Sequence, residues 1–210
     1  LSFESRQDNL RNVLDKIQQI GIDAAELEVH QEYDLNVDKL KEQEEKKIEA
    51  GDIEQSEKKE SWSTSDEAYY YYLDETTQGL PVFSKRSVND YSGDERSQII
   101  VCAGNDGIRY LYMKWFFLFD IGVDKVKFAP IDNIKECIKT KYGKTLDENC
   151  ITVKKMVLGV YPFATDKEKN AVVPVWICFL ERKTKGSEYV EKLYVPINAI
   201  TGEEFYDMEG

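Results

Sequence analysis

Apolar residues near the start of the chain recur with the spacing of one helix face. These residues are Leu10, Val13, Leu14, Ile17 and Ile20. Gly21 follows them, and glycine commonly ends a helix. The spacing predicts an amphipathic helix over residues 5–20. Residues 26–30 then alternate polar and apolar side chains, which predicts a short strand.

The next segment, residues 38–60, is dominated by charged side chains. Thirteen of the twenty residues from Lys41 to Glu60 are charged, and Ile48 and Ile53 are the only aliphatic residues larger than alanine. Such a segment cannot bury enough surface to form its own core. It is either a solvated helix held by Glu–Lys pairs or a disordered insertion. We favour a helical excursion that ends in the polar linker 61–65.

From residue 68 onward the pattern is typical of strands. Residues 68–73 predict a strand, 78–83 follow a turn, and 97–115 predict a hairpin around the Gly-Asn-Asp-Gly turn at 104–107. Apolar residues after Pro130 predict a second amphipathic helix, followed by three more strands. These elements cover residues 131–142, 151–163, 172–180 and 191–199.

The order of these elements predicts an α+β fold of two similar units. In each unit a helix precedes an antiparallel sheet and covers one of its faces. The first unit spans residues 1–128, with the charged insertion at about 31–67, and the second spans 129–210. The similar Leu-Pro-Val-Phe (80–83) and Val-Pro-Val-Trp (173–176) segments favour an internal repeat.

Two sequence segments resemble a known family. Val173 to Ile177, a polar turn region and then Leu193 to Glu204 resemble the closing strands of PepSY-type modules and of YycI- and YycH-type accessory proteins. The turn at 104–107, followed by an aromatic strand, resembles the corresponding turn of their first unit. The long acidic insertion departs from this pattern, and no catalytic residue carries over.

The resemblance implies an exported accessory protein, in many cases a lipoprotein, that acts by contact with another protein such as an envelope sensor kinase or a peptidase. We therefore expect an extracytoplasmic location on the outer face of the bacterial cytoplasmic membrane. The chain starts at Leu1 without methionine, so we expect a processed or truncated portion. Any membrane attachment would use a lipid or peptide anchor that this sequence does not contain.

Charge and cysteine content narrow the function classes. The formal net charge is −12, from 40 acidic and 28 basic residues, which disfavours binding to nucleic acid. The four cysteines form no C-x-x-C pair. Cys102 and Cys178 lie in apolar runs and are expected in the core. For Cys137 and Cys150 the sequence allows two alternatives, free thiols or a disulfide.

No motif predicts catalysis, a metal or a cofactor. His30, the only histidine, is expected to be a solvated residue at a strand end. The segment Gly143 to Thr145 lacks the upstream glycine of a phosphate loop, because position 138 is isoleucine. Residues 89–95 are rich in oxygen ligands but lack the order of a calcium loop, so we interpret them as a polar loop.

Aromatic residues supply the candidate binding surface. Alternate residues of a strand face opposite sides, so two of the four consecutive tyrosines are expected in the core and two outside. Together with later aromatic residues they predict a partner-binding sheet face, although ordinary sheet packing is the competing interpretation. The candidates are Tyr69, Tyr70, Tyr71, Tyr72, Tyr110, Tyr112, Trp115 and Trp176.

The expected function is therefore that of a non-enzymatic binding protein that acts by protein contact, with no cofactor. The alternative is an extracytoplasmic small-ligand binder or hydrolase that uses a cleft between the two units. A deep cleft with converging polar groups would favour the alternative, whereas a flat aromatic face would favour protein contact.

Overall fold

The computed structural model describes residues 1–83, 99–114, 117, 125–143, 149–166 and 169–205. These residues form two compact units with an α+β fold. The first unit contains residues 1–75 and the described part of 97–116, and the second contains the described parts of 76–96 and 117–210. The predicted boundary after residue 128 stays a prediction.

Helix α1, Arg6–Gln19, begins and ends where its sequence predicts. The Ser5 side chain accepts a hydrogen bond from the Asp8 amide at 3.2 Å and caps the first turn. Its apolar stripe buries Val13 and Ile17. Gly21 follows with φ of +95°, a conformation that glycine adopts without steric cost.

The first sheet is antiparallel, with strands in the order β1-β2-β4-β5 and β3 paired with the end of β2. The strands are β1 Leu27–Leu35, β2 Ala68–Thr77, β3 Leu80–Pro81, β4 Ile99–Gly104 and β5 Gly107–Met113. Helix α1 packs on one face of this sheet. The buried residues between them are Val13, Ile17, Ile22, Tyr69, Tyr71, Leu73, Ile99, Val101 and Ala103.

Strand β1 is longer than the predicted strand over 26–30. A register shift lies between Val29 and Gln31, and pairing with β2 then continues to Leu35. The charged residues Glu32 and Asp34 fit this strand because both form ion pairs with Arg6 of α1, at 2.7 and 3.1 Å. The charged excursion therefore begins at Asn36 rather than at residue 31.

The charged segment is helical over α2, Val37–Ala50, which confirms the helical interpretation for these residues. The Asn36 side chain accepts from the Lys39 amide at 2.9 Å, and Gly51 ends the helix with φ of +77°. Two short 3₁₀ turns follow, Gln55–Glu57 and Thr64–Asp66. We call residues 36–67, which run from β1 to β2, the arm.

The second unit has helix α3, Ile131–Tyr142, on an antiparallel sheet in the order β6-β7-β8. The strands are β6 Asn149–Asp166, β7 Lys169–Thr184 and β8 Val190–Asn198. The first two are longer than the predicted strands, and β8 agrees with the predicted 191–199 to within one residue. Ile134 and Ile138 of α3 pack against the sheet. Their buried partners are Cys178, Leu180, Val195 and Ile197.

The four cysteines are free thiols, so Cys137 and Cys150 are not joined. Cys102 and Cys178 are buried, as their apolar surroundings predict. Burial raises the pKa of Cys178 to about 12, so its thiol stays protonated. None of the helices in the described ranges combines the length and the apolar character needed to cross a bilayer.

Candidate functional site

The four consecutive tyrosines of β2 divide between the two faces of the sheet. Tyr69 and Tyr71 are buried beneath α1. The Tyr69 hydroxyl donates to the Glu4 carbonyl at 3.0 Å, and the Tyr71 hydroxyl donates to Asn9 Oδ1 at 3.0 Å. These two tyrosines hold α1 to the sheet and offer no surface to a partner.

The other two tyrosines lie on the opposite face among further tyrosines. Tyr70 pairs in register with Tyr33 of β1, and through Cys102 of β4 it is aligned with Tyr110. Tyr72 is aligned through Ile100 with Tyr112 in the same way. We call this set the tyrosine face: Tyr33, Tyr70, Tyr72, Tyr110 and Tyr112.

The remaining two candidate residues are not part of this arrangement. Trp115 lies outside the described residues. Trp176 is on β7 of the second sheet, where it is half-buried and packs against the cluster around Ile134 and Ile138. The tyrosine face therefore joins four of the predicted residues and adds Tyr33, which sequence reasoning missed.

The arm is closed by a buried carboxylate. One Glu44 oxygen accepts from the Lys59 amide and the other from Trp62 Nε1, both at 2.8 Å. These hydrogen bonds, the Lys59 amide first, hold the pKa of Glu44 below its usual value. The charged form of Glu44 thus clamps the chain after α2 onto the helix.

A second set of contacts attaches the end of the arm to β5. The Arg109 guanidinium donates to the carbonyls of Ser65, Asp66 and Glu67 at 2.6 to 3.2 Å. Gly104 makes room for this arrangement, because a side chain there would overlap the guanidinium of Arg109. The end of the arm that precedes β2 is therefore fixed to β5.

The arm covers one part of the tyrosine face and leaves the other open. Beneath it lies a cleft of about 890 Å³, whose floor includes Tyr33, Tyr70 and Tyr72 and whose wall includes Trp62. Tyr33 and Tyr72 meet edge to face, with ring centroids 5.8 Å apart. Tyr110 and Tyr112 of β5 lie outside this cleft.

Strand β5 is an edge strand, since among the described residues it pairs only with β4. Its exposed apolar side chains lie on both faces: Tyr110 is 50% and Tyr112 39% exposed, and on the α1 side Leu111 is 37% and Met113 39% exposed. Next to Leu111 is a groove of about 610 Å³ along α1, lined in part by Ile17 and Ile20. Both faces of this edge therefore present apolar surface.

His30 Nδ1 lies 3.1 Å from Asp74 Oδ2, and both side chains are partly exposed. Within the described ranges no cluster of three histidine, cysteine or carboxylate side chains could hold a metal ion. The oxygen-rich loop at 89–95 lies outside those ranges, as do residues 144–148.

Comparisons with known proteins do not identify a family. No family model matches the chain, and no curated protein matches it. A similar solved structure is the crystal structure of an uncharacterized protein from Eubacterium rectale ATCC 33656, with 18% sequence identity and a TM-score of 0.47. The match covers 98% of this chain and 57% of that protein, so this chain spans little more than half of its length.

Proposed function

We propose that this protein is a non-catalytic binding protein whose partner docks along the β5 edge. The observation that carries the proposal is the edge itself, which no other described strand pairs, with Tyr110 and Tyr112 exposed on one face and Leu111 and Met113 on the other. An open edge offers backbone hydrogen bonds to an added strand, and apolar side chains on both faces extend the contact.

The composition of the edge fits recognition by contact. Tyrosine supplies a large contact area with few rotatable bonds and keeps a hydroxyl for hydrogen bonding. Apart from Arg109, which is held by the arm, β5 carries no charged side chain. Natural proteins usually protect edges with lysine or proline, so an edge without them is suited to a partner strand.

Site-specific photocrosslinking tests this proposal in extracts of the cells that produce the protein. A photoreactive phenylalanine analogue replaces Tyr112, and a matched control replaces Tyr189, which is 74% exposed in the second unit. We expect a discrete crosslinked product from position 112 alone. Excess unlabelled wild-type protein should suppress it, whereas excess Leu111→Lys protein should not, because a lysine on the edge opposes strand addition.

The competitor must remain folded for this comparison to be valid. Leu111 lies at an exposed edge, so its replacement by lysine should change the free energy of unfolding by less than about 1 kcal/mol. Circular dichroism and urea unfolding check this directly. Equal products from positions 112 and 189, or equal suppression by folded Leu111→Lys and wild-type protein, would rule out β5 as the contact edge.

We also propose that the protein works at the cell envelope and that its two units are repeats of the PepSY-like kind. Support comes from the resemblance of the closing strands and from the order within each unit, where a helix precedes antiparallel strands. Cell fractionation with an antibody to the protein tests the location, and recovery in the cytosol alone would contradict it. The alternative of a ligand binder or hydrolase with a cleft between the units stays a prediction.

A further inference from the structure

The cleft under the arm is a second feature that the proposed protein contact does not use. Its volume of about 890 Å³ lies within the range of small-molecule sites. Three aromatic side chains of the sheet, Tyr33, Tyr70 and Tyr72, form its floor, and Trp62 with the aliphatic Leu40 and Ile53 forms part of its wall. The site is thus bounded by one sheet face and one helix of the same unit.

Contacts within the protein hold the walls of the cleft in place. Asn36 caps α2 at one end, and Lys39 Nζ forms an ion pair with Asp34 of β1 at 3.1 Å. At the other end Glu44 clamps Trp62, and Arg109 binds the carbonyls before β2. Because these bonds fix the arm independently of any occupant, the cleft is preformed, which lowers the cost of binding.

The charges around the cleft favour a neutral occupant. Lys39, Lys47 and Lys59 line it together with the carboxylates of Asp34, Glu42, Glu44 and Glu57, so the two signs nearly balance. Several of these groups already bond within the protein: Lys39 to Asp34, Lys59 to Asp66, and Glu42 to Lys46. An anion would meet the net negative charge of the chain, and each of the four carboxylates that could attract a cation is already bonded within the protein.

The floor of the cleft is also neutral but can form hydrogen bonds. Burial raises the pKa of Tyr70 to about 12, with a further contribution from the Cys102 thiol, so its phenol keeps its proton. Exposed Gln43 and Lys47 lie on the cleft wall and supply amide and ammonium donors. Flat aromatic surface is thus combined with donors and acceptors.

We propose that this cleft binds a neutral saccharide. A sugar ring has apolar C–H faces that can lie on the tyrosine floor, and hydroxyl edges that both donate and accept hydrogen bonds. Trp62 would flank the ring, with Lys59 Nζ over one face of its indole at 4.6 Å from the centroid. Gln43 and Lys47 would bond to those hydroxyls. The proposal does not depend on the partner at β5, because it uses the part of the tyrosine face that the arm covers.

The Trp62 indole N–H, which donates to Glu44 at the cleft wall, provides a direct NMR reporter. Uniformly ¹⁵N-labelled protein is titrated with cellohexaose, chitohexaose, maltohexaose and xylohexaose, and the Trp62 signal is assigned with a Trp62→Phe variant. We expect at least one of these probes to shift the Trp62 signal in a saturable manner below about 10 mM.

Variants locate the binding and provide the controls. Tyr33→Ala and Gln43→Ala should each weaken binding of that probe by about tenfold, equivalent to ~1.4 kcal/mol. Tyr112→Ala lies on the same face beyond the cleft and should leave the affinity unchanged. The dispersion of the amide spectrum shows whether each variant is folded.

Three results would overturn the proposal. One is the absence of any shift of the Trp62 signal at about 10 mM of all four sugars. Another is unchanged affinity in both folded cleft variants, Tyr33→Ala and Gln43→Ala. The third is a preference for an anionic hexagalacturonate or for a neutral peptide over every neutral sugar. None of these results bears on the crosslinking at position 112, so the two proposals fail separately.

Discussion

Replacing Tyr71 by phenylalanine removes one oxygen atom from the centre of the first unit. The Tyr71 side chain is fully buried, and its hydroxyl bonds to Asn9 Oδ1 at 3.0 Å and to the Arg6 carbonyl at 3.1 Å. Asn9 is itself buried on α1. The ring and its packing are retained, so the substitution isolates the contribution of these hydrogen bonds.

The expected cost follows from the state of the groups left behind. A hydrogen bond contributes about 1 kcal/mol net, but an acceptor that stays buried without a donor costs roughly 1–3 kcal/mol. Asn9 is only 2% exposed, so we expect Tyr71→Phe to lower the free energy of unfolding by about 2 kcal/mol. Tyr112→Phe, at a partly exposed position, should change it by less than about 0.5 kcal/mol.

Urea unfolding measures this difference. With an m-value of about 2 kcal/mol per molar, the transition of the first unit should move by roughly 1 M. Because the chain contains two compact units, unfolding can proceed in two steps. Hydrogen exchange of the β2 and β4 amides therefore assigns the loss to the first unit, and the β7 amides serve as an internal control.

A double-mutant cycle with Asn9→Leu separates this bond from general packing. If the Tyr71–Asn9 hydrogen bond carries the effect, Tyr71→Phe should cost about 1 kcal/mol less in the Asn9→Leu background. Equal costs in both backgrounds would refute the assignment. A Tyr71→Phe variant as stable as Tyr112→Phe would refute the wider conclusion that Tyr71 anchors α1.

Two further predictions concern the arm and the second sheet. Glu44→Gln should lower the hydrogen-exchange protection factors across residues 37–62. In the wild type the same loosening should develop as the pH falls through the lowered Glu44 pKa, because the clamp needs the carboxylate. Protection factors of the arm that do not change with pH would contradict this. Gly159→Ala should destabilise the second unit by about 1–3 kcal/mol, as measured by urea unfolding, because the added methyl group would overlap Phe83 and Pro81. The control is Val153→Ala, at an exposed site of the same strand. A cost of Gly159→Ala no larger than that of the control would show that the overlap is relieved.

Local periodicity predicted the helices and strands because each element depends on residues close in sequence. The helix over 131–142 coincides with α3, since Ile134 and Ile138 mark the buried stripe and Gly143 follows the last turn. The alternation of the tyrosines was predictable for the same reason, because a strand has a strict period of two. Strand β1 was predicted too short because alternation is masked where a bulge interrupts it.

The cleft could not be predicted in the same way, because it depends on contacts distant in sequence. Glu44 is buried because it meets a backbone amide 15 residues later and an indole 18 residues later. The spacing of Leu40, Glu44 and Ile48 marks one face of α2, and it is the one local signal that this helix packs. A helix with mainly charged residues predicts that Glu44 is exposed to solvent. The sequence therefore gives no sign that Trp62 contacts it.

The two faces of the first sheet show how the covering helix determines what a tyrosine can do. Helix α1 presents Val13 and Ile17, which pack closely on Tyr69 and Tyr71 and leave their hydroxyls to bond within the protein. Helix α2 presents mainly charged side chains, which cannot give up their water to pack on rings. The arm therefore stays apart from the sheet and is held to it by the Lys39–Asp34 ion pair and by Arg109 of β5. The same strand thus supplies a core on one side and a preformed cleft on the other.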